Sequence, residues 1–229
     1  MCARYTMRTS AETLFDLFEL DEAEELGATP PIVRPTDVAA VIVAGDTGRI
    51  GRMMRWGLVP HWASDLKIGV KMINARSETV FEKPAFRESI LKRRCLVPAD
   101  GFFEWTDIQV EETDLFGEPR KGKSRKQPQL ITVTDQPVFA FAGMYDRWKD
   151  RATGAVVFTY TILTCEPNEV VVPIHDRMPV ILRQDRHAAW LDQGLTDPEG
   201  IAALMEPVSA AVTRVVAVPS ADDATRLSA

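Results

Sequence analysis

Histidine and cysteine are scarce in this 229-residue chain, at three each, and the scarcity excludes several chemistries. Cys2, Cys95 and Cys165 are odd in number and irregular in spacing, which fits a reducing compartment better than a disulfide framework. His61, His175 and His187 are too scattered for a metal site, so no metal and no cofactor is expected. There is no Gly-rich phosphate loop, no GxSxG, no CxxC and no HExxH. The longest uncharged apolar run is seven residues, 38–44, against the roughly 20 that span a bilayer. No basic start followed by an apolar stretch and a cleavage site is present, so no secretory signal or membrane association is expected, and the location expected is the cytoplasm. Repeats and Gly/Ser/Pro-rich linkers are also missing.

What is present is ordinary for a globular protein, with 45% hydrophobic and 26% charged residues. The net charge of −6 argues against non-specific nucleic-acid binding, but its distribution does not. Between Arg49 and Pro98 eleven Lys/Arg face four acids, leaving that segment at +7 and the remainder at −13. Such a chain can present a basic face while staying acidic overall, although a solvated charged surface has the same composition.

Thr9-Ser10-Ala11-Glu12 has capping-box spacing, and Leu14, Phe15, Leu17 and Phe18 follow at helical intervals, so a short helix is expected to start near residue 10. Residues 21–35, acidic and then proline-bearing, read as loop. Residues 38–44 and 50–56 flank Gly45-Asp46-Thr47-Gly48 and predict a β-hairpin. Pro84 suits a first helical turn, with Phe86, Ile90 and Leu91 on one face and Lys92-Arg93-Arg94 at the C-terminal end. Strand-like runs follow at 95–97, 102–108, 130–134, 138–142, 156–164, 180–182 and 212–218, with helical stretches at 186–191 and 198–205. Residues 109–127 form an insertion-like hairpin loop, acidic and then basic. The expected fold class is α+β: a single domain, 1–229, with a curved, barrel-like mixed β-sheet core surrounded by short helices.

Cys2 follows the initiator methionine and is small enough for methionine aminopeptidase to expose it. A terminal cysteine then offers an α-amine beside a thiol. An α-amine has a pKa of about 7.7–8.0 against about 10.4 for lysine, so far more of it is neutral at pH 7. A neutral amine attacks an aldehyde to give a Schiff base, and the adjacent thiol can close a five-membered thiazolidine ring, favoured by proximity. Cys2 also fits an ordinary residue buried in a strand. Glu104, enclosed by Phe102, Phe103 and Trp105, is a carboxylate whose pKa such surroundings raise; a buried glutamate paired with an arginine reads the same way. Asn74 lies in a polar knot, Ile73 to Thr79, between hydrophobic segments. His175, in Pro-Ile-His-Asp-Arg-Met-Pro, fits a proton shuttle or a structural histidine. Trp62 and Trp105 suit base stacking or core packing. Cys95 and Cys165 read as packing, and His187 as surface.

Five strings carry a resemblance: Met-Cys-Ala-Arg-Tyr at the start, Trp56 to Trp62 (WGLVPHW), Ile73 to Thr79 (INARSET), Arg94 to Trp105 (RCLVPADGFFEW), and Ile174 to Pro179 (IHDRMP). In order, from residue 1 to about 182, the chain resembles the SRAP family, the SOS-response-associated peptidases or abasic-site-processing proteins. The resemblance implies a covalent bond between the processed N-terminal Cys2 and the ring-opened aldehyde of an abasic site in single-stranded DNA. It further implies Asn74, Glu104 and His175 as the groups around Cys2, Arg4 and Arg76 as phosphate contacts, and Trp62, Trp105 and Pro35 against neighbouring bases. The expected partner is single-stranded DNA containing an abasic site, bound by a monomer that is nucleoid-associated when on DNA. A cysteine peptidase or N-terminal-nucleophile hydrolase, and a noncatalytic single-stranded-DNA-binding module, are the other readings. Two departures stand out. Ala3 replaces the usual glycine, and 109–127 is longer than the usual short hairpin.

Overall fold

Five strands close on themselves at the centre of the computed structural model, which describes residues 2–23, 26–113 and 119–222. In chain order the strands are β1 (Tyr5–Thr6), β2 (Glu22–Ala23), β3 (Ile32–Val33), β4 (Val38–Ala44), β5 (Arg49–Trp56), β6 (Asn74–Arg76) and β7 (Arg94–Ala99). They continue with β8 (Gly101–Thr113), β9 (Pro119–Val133), β10 (Phe139–Lys149), β11 (Val156–Cys165), β12 (Met178–Pro179), β13 (Ile181–Leu182) and β14 (Thr213–Ala217). The helices are short: α1 (Ala11–Leu17), α2 (Arg87–Lys92), α3 (His187–Leu191) and α4 (Pro198–Ala202).

The barrel runs β5–β4–β7–β10–β11 through antiparallel pairs and closes through a parallel pairing of β11 with β5. Closure rests on two register pairs, Thr159 with Arg55 and Tyr160 with Trp56. The chain then leaves at Gly57, whose φ of +117° and 2.5 Å approach of a would-be Cβ to the Gly69 carbonyl leave room for glycine alone. After a 3₁₀ turn at Leu66–Lys71 the chain returns as β6, which resumes pairing with β11 at Ile162–Asn74 and Thr164–Arg76. Asn74 thus reaches its place because the barrel has to close.

A second, open sheet runs β14–β9–β8–β1–β3. Its short β1 is anchored by Tyr5, fully buried, which meets Trp56 and Phe141 edge-on at 5.3 and 5.7 Å and shares a 2.7 Å hydroxyl contact with Tyr160. Burying an aromatic of this size contributes about 2–3 kcal/mol, enough to fix the strand that leads back to Cys2. No helix among the described residues is long and apolar enough to cross a membrane.

The α+β expectation is met, including the barrel-like core. The hairpin of β4 and β5 is as expected, and Cys95 and Cys165 are buried. Several expectations need correction. The α1 cap is Ser10, which accepts from the Thr13 amide, one residue beyond the expected capping box. Residues 21–35 hold two two-residue strands. The helix expected from Pro84 begins at Arg87, and Arg94 opens β7 instead of closing the helix. Its buried guanidinium still donates to the Ile90 and Leu91 carbonyls at the helix end. His187 is buried, not surface, stacked on Phe18 at 5.4 Å. The expected 109–127 loop is largely strand: β8 and β9 pair as far as Thr113–Pro119, and 114–118 lie outside the described residues.

Candidate active site

Four of the residues singled out by sequence come together where the two sheets meet. Cys2 is 1% exposed. Its carbonyl accepts a 2.8 Å hydrogen bond from Asn74 Nδ2, and its thiol points at the Arg4 carbonyl at 3.6 Å. Glu104, on β8 and 3% exposed, lies close enough for its charge to act on the Cys2 thiol. His175, on the segment between β11 and β12, places Nε2 at 3.9 Å from Glu104 Oε2. The carbonyl oxygen of the Asn74 amide is buried and has no hydrogen-bond partner among the described residues. Leaving such a group unpaired is costly, so the site keeps an acceptor in reserve.

Burial sets the protonation states. Desolvation raises the Glu104 carboxyl to about 7, outweighing the N-terminal amine, whose charge and hydrogen bond lower it; the Asp176 charge adds a smaller rise. The Cys2 thiol is pushed well above its usual range, first by burial and then by Glu104, so it is held as a thiol. Burial lowers the His175 pKa and favours neutral imidazole. Two neighbours compete for His175 Nδ1: the Arg177 amide at 3.0 Å, which needs a lone pair there, and Asp176 Oδ1 at 2.8 Å, which needs a proton. In a neutral ring whose Nδ1 accepts from the Arg177 amide, the proton belongs on Nε2, the nitrogen nearer Glu104.

The segment bearing His175 is tied to the 3₁₀ turn Ser77–Thr79, just after β6, by a contact that sequence reasoning did not single out. Arg177 donates to both oxygens of Glu78, at 2.8 and 2.9 Å, and to the Thr164 carbonyl at 2.6 Å. Partial burial opposes it, but the bidentate pair still holds Glu78 below the usual carboxylate range. Both residues lie within the strings quoted above, yet 99 residues apart, a separation that carries no periodic signal.

The residues expected on DNA are more dispersed. Arg76 is exposed two residues beyond Asn74, on the same face of β6. Arg4 lies over Trp105, 5.3 Å from the ring centroid. Trp105 packs partly against Phe103 beside Val218 and Ala221. Pro35 is half-buried in the turn after β3. Trp62 is 49% exposed. It follows His61, whose amide and ring both reach the buried Asp146, and precedes Ala63, whose carbonyl accepts from the Trp148 indole. Those contacts tie Trp62 to the β10–β11 hairpin, and none of them involves Cys2. Among the described residues, no group of three or more His, Cys, Asp or Glu is gathered to hold a metal ion.

The family model for SOS response associated peptidase (SRAP) matches residues 1–221. The chain belongs to the SRAP family. This SRAP protein is 39% identical to the Abasic site processing protein YoaM of Bacillus subtilis over 213 residues, covering 92% of this chain and 87% of YoaM. It is 34% identical over 173 residues to the Abasic site processing protein HMCES of Xenopus tropicalis, covering 72% of this chain and 52% of that longer protein. A crystal structure of a Bacteroides thetaiotaomicron protein has the same fold, with a TM-score of 0.79, 28% identity, and coverage of 99% of this chain and 95% of that one.

Proposed function

We propose that this SRAP protein processes abasic sites by covalent capture, with Cys2 as its first residue, on single-stranded DNA. The observation that carries the reading is the grip on Cys2: Asn74 holds its carbonyl at 2.8 Å, and a carboxyl with a pKa of about 7 lies within electrostatic reach of its thiol. A group titrating near neutrality can both give and take a proton at the working pH.

The neutral α-amine of Cys2 adds to C1′ of the ring-opened sugar. Glu104, in its acid form, protonates the carbinolamine hydroxyl, which leaves as water and gives the iminium. The thiol sulfur then adds to the same carbon, its proton passing to the Glu104 carboxylate, and the thiazolidine closes. Aldehyde and aminothiol give thiazolidine and one water, with no oxidant, metal or cofactor consumed. His175 Nε2–H steadies Glu104 or relays its proton. The unpartnered Asn74 carbonyl accepts from the Cys2 amine or from a sugar hydroxyl.

A baseless nucleotide must leave its stack to reach a residue as buried as Cys2, and a single strand pays least for that. Arg4 and Arg76 suit its phosphates, and Trp105, Trp62 and Pro35 its flanking bases. A cysteine peptidase needs a thiolate, favoured by a lowered pKa. Burial moves the Cys2 thiol the other way, and His175 Nε2 faces Glu104, so the site supports amine-first capture better.

The test is to incubate the mature protein with a uracil-containing oligonucleotide treated with uracil glycosylase and run a denaturing gel. A shifted band, absent for Cys2→Ala and matched by the adduct's intact mass, is expected. Peptide hydrolysis without a shift would instead favour the peptidase, and salt-sensitive binding unchanged by Cys2→Ala the noncatalytic module.

A further inference from the structure

The open sheet brings two arginines side by side. Tyr5 pairs with Val33 and the Met7 amide donates to the Pro31 carbonyl, so the same register, one step onward, sets Arg4 against Arg34. Arg4 also lies against Phe103, whose amide donates to the Arg4 carbonyl at 3.0 Å. Phe103, Arg4 and Arg34 therefore form one row across β8 and the ends of β1 and β3, with Trp105 beside it. Like charges directly opposite on neighbouring strands repel unless an anion is shared between them.

One anion already meets Arg34. After β14 the chain crosses this face as a strap. The Val218 amide donates to the Pro128 carbonyl at 3.0 Å, its carbonyl accepts from the Gln127 side chain at 2.5 Å, and Val218 and Ala221 bury themselves against Phe103. The next residue, Asp222, meets Arg34 at 2.6 Å. Both side chains of that pair are open to solvent, 45% for Arg34 and 70% for Asp222, so the carboxylate exchanges readily for another anion. The Arg34 backbone is fixed meanwhile, its amide bound to the Asp37 side chain at 2.8 Å.

We propose that Arg4 and Arg34 form a paired phosphodiester-binding site on the open sheet, and that Asp222 occupies it as a built-in competitor when no DNA is bound. The proposal rests on the DNA reading above and deepens it: a backbone phosphate next to the lesion replaces the Asp222 carboxylate, and the strap lowers affinity for undamaged strands.

The experiment measures noncovalent affinity of the full-length protein for an undamaged single-stranded oligonucleotide across a salt series, alongside crosslinking to the abasic version. Asp222→Asn is expected to bind about two- to fivefold more tightly, and more so than Glu199→Gln, which removes an equal charge from the exposed side of α4. Arg34→Gln is expected to weaken binding severalfold and to reduce the salt slope by about 0.7, the value for one phosphate contact on a single strand. In the Arg34→Gln background, Asp222→Asn should then gain no more than the charge control. A gain for Asp222→Asn that equals the control, or that persists without Arg34, overturns the proposal. If wild type crosslinks abasic DNA while the Arg34 and Asp222 variants bind like wild type, the arginine pair fails and covalent capture stands. If no form binds or crosslinks, both fail.

Discussion

Asp100 and Glu104 stand at the two ends of a short stretch of chain, both buried at 8% and 3% exposure, and the protein treats them oppositely. Asp100 sits at the β7–β8 corner and accepts from the Thr6 hydroxyl, the Arg8 amide at 2.8 Å and the Arg8 guanidinium at 3.1 Å. Glu104 lies by the Cys2 thiol and the His175 imidazole, and burial outweighs the N-terminal amine that favours its charge, lifting its pKa to about 7. One carboxylate is supplied with donors and clamps the strand that follows Cys2. The other is kept near its own titration point beside Cys2. The same side-chain chemistry serves as anchor or as proton carrier according to what surrounds it.

The sharpest test of that contrast is Glu104→Gln. Covalent capture of abasic DNA in single-turnover time courses should slow by about 10²–10⁴-fold, the usual worth of a positioned acid–base group. A variant within threefold of wild type would remove Glu104 from the chemistry. Asp100→Ala should act on the fold instead, lowering urea-unfolding stability by about 2–4 kcal/mol because the Thr6 and Arg8 donors lose their acceptor.

Stability should also separate the pair by pH. The raised Glu104 pKa means the folded state prefers the neutral carboxyl. Below the ordinary value of 4.5 both folded and unfolded chains are protonated and no penalty exists. As pH rises from there to about 7 the unfolded chain ionises first and wild type loses stability; above that the loss is constant. Glu104→Gln should therefore unfold later than wild type at pH 8, by up to about 3 kcal/mol, and nearly together with it at pH 4. Equal stabilities at pH 8 would contradict the raised pKa. The smallest effect is expected from Glu78→Gln, which loosens the Arg177 clamp at its half-exposed end. Stability should change by less than about 1 kcal/mol, with capture slowed only a few-fold through His175.

Much of this was legible in the amino acids. Two strand-like runs around the turn residues Gly45 to Gly48 located the β4–β5 hairpin, and the aromatic surroundings of Glu104 anticipated its raised pKa. Cys2 stands out by its place behind the initiator methionine, Glu104 and His175 by their neighbours, and Asn74 by its polar knot. What escaped has physical reasons. Tyr5–Thr6, Glu22–Ala23 and Ile32–Val33 are two residues long, too short for any periodicity to register, and exist because neighbours supply their hydrogen bonds. Asn74–Arg76 read as a polar knot because its strand character comes from closing the barrel. His187 looked solvent-facing beside Arg186, but the ring of Phe18, far away in the chain, covers it. The facing of Arg4 and Arg34 likewise depends on register, which composition does not encode.

The long β8–β9 ribbon carries acids on one strand and bases on the other. Asp107 lies across from Lys126, joined at 2.9 Å, and the pairing continues with Glu111 opposite Lys121 and Glu112 opposite Arg120. Along the sequence the acids fall on β8 and the bases on β9, so the two strands carry opposite signs. Any two-fold mate approaching with the same strand must present the same sign it meets. A projecting strand edge is ordinarily an invitation to aggregate, and here a two-fold mate that brings the same strand alongside its twin meets its own charge.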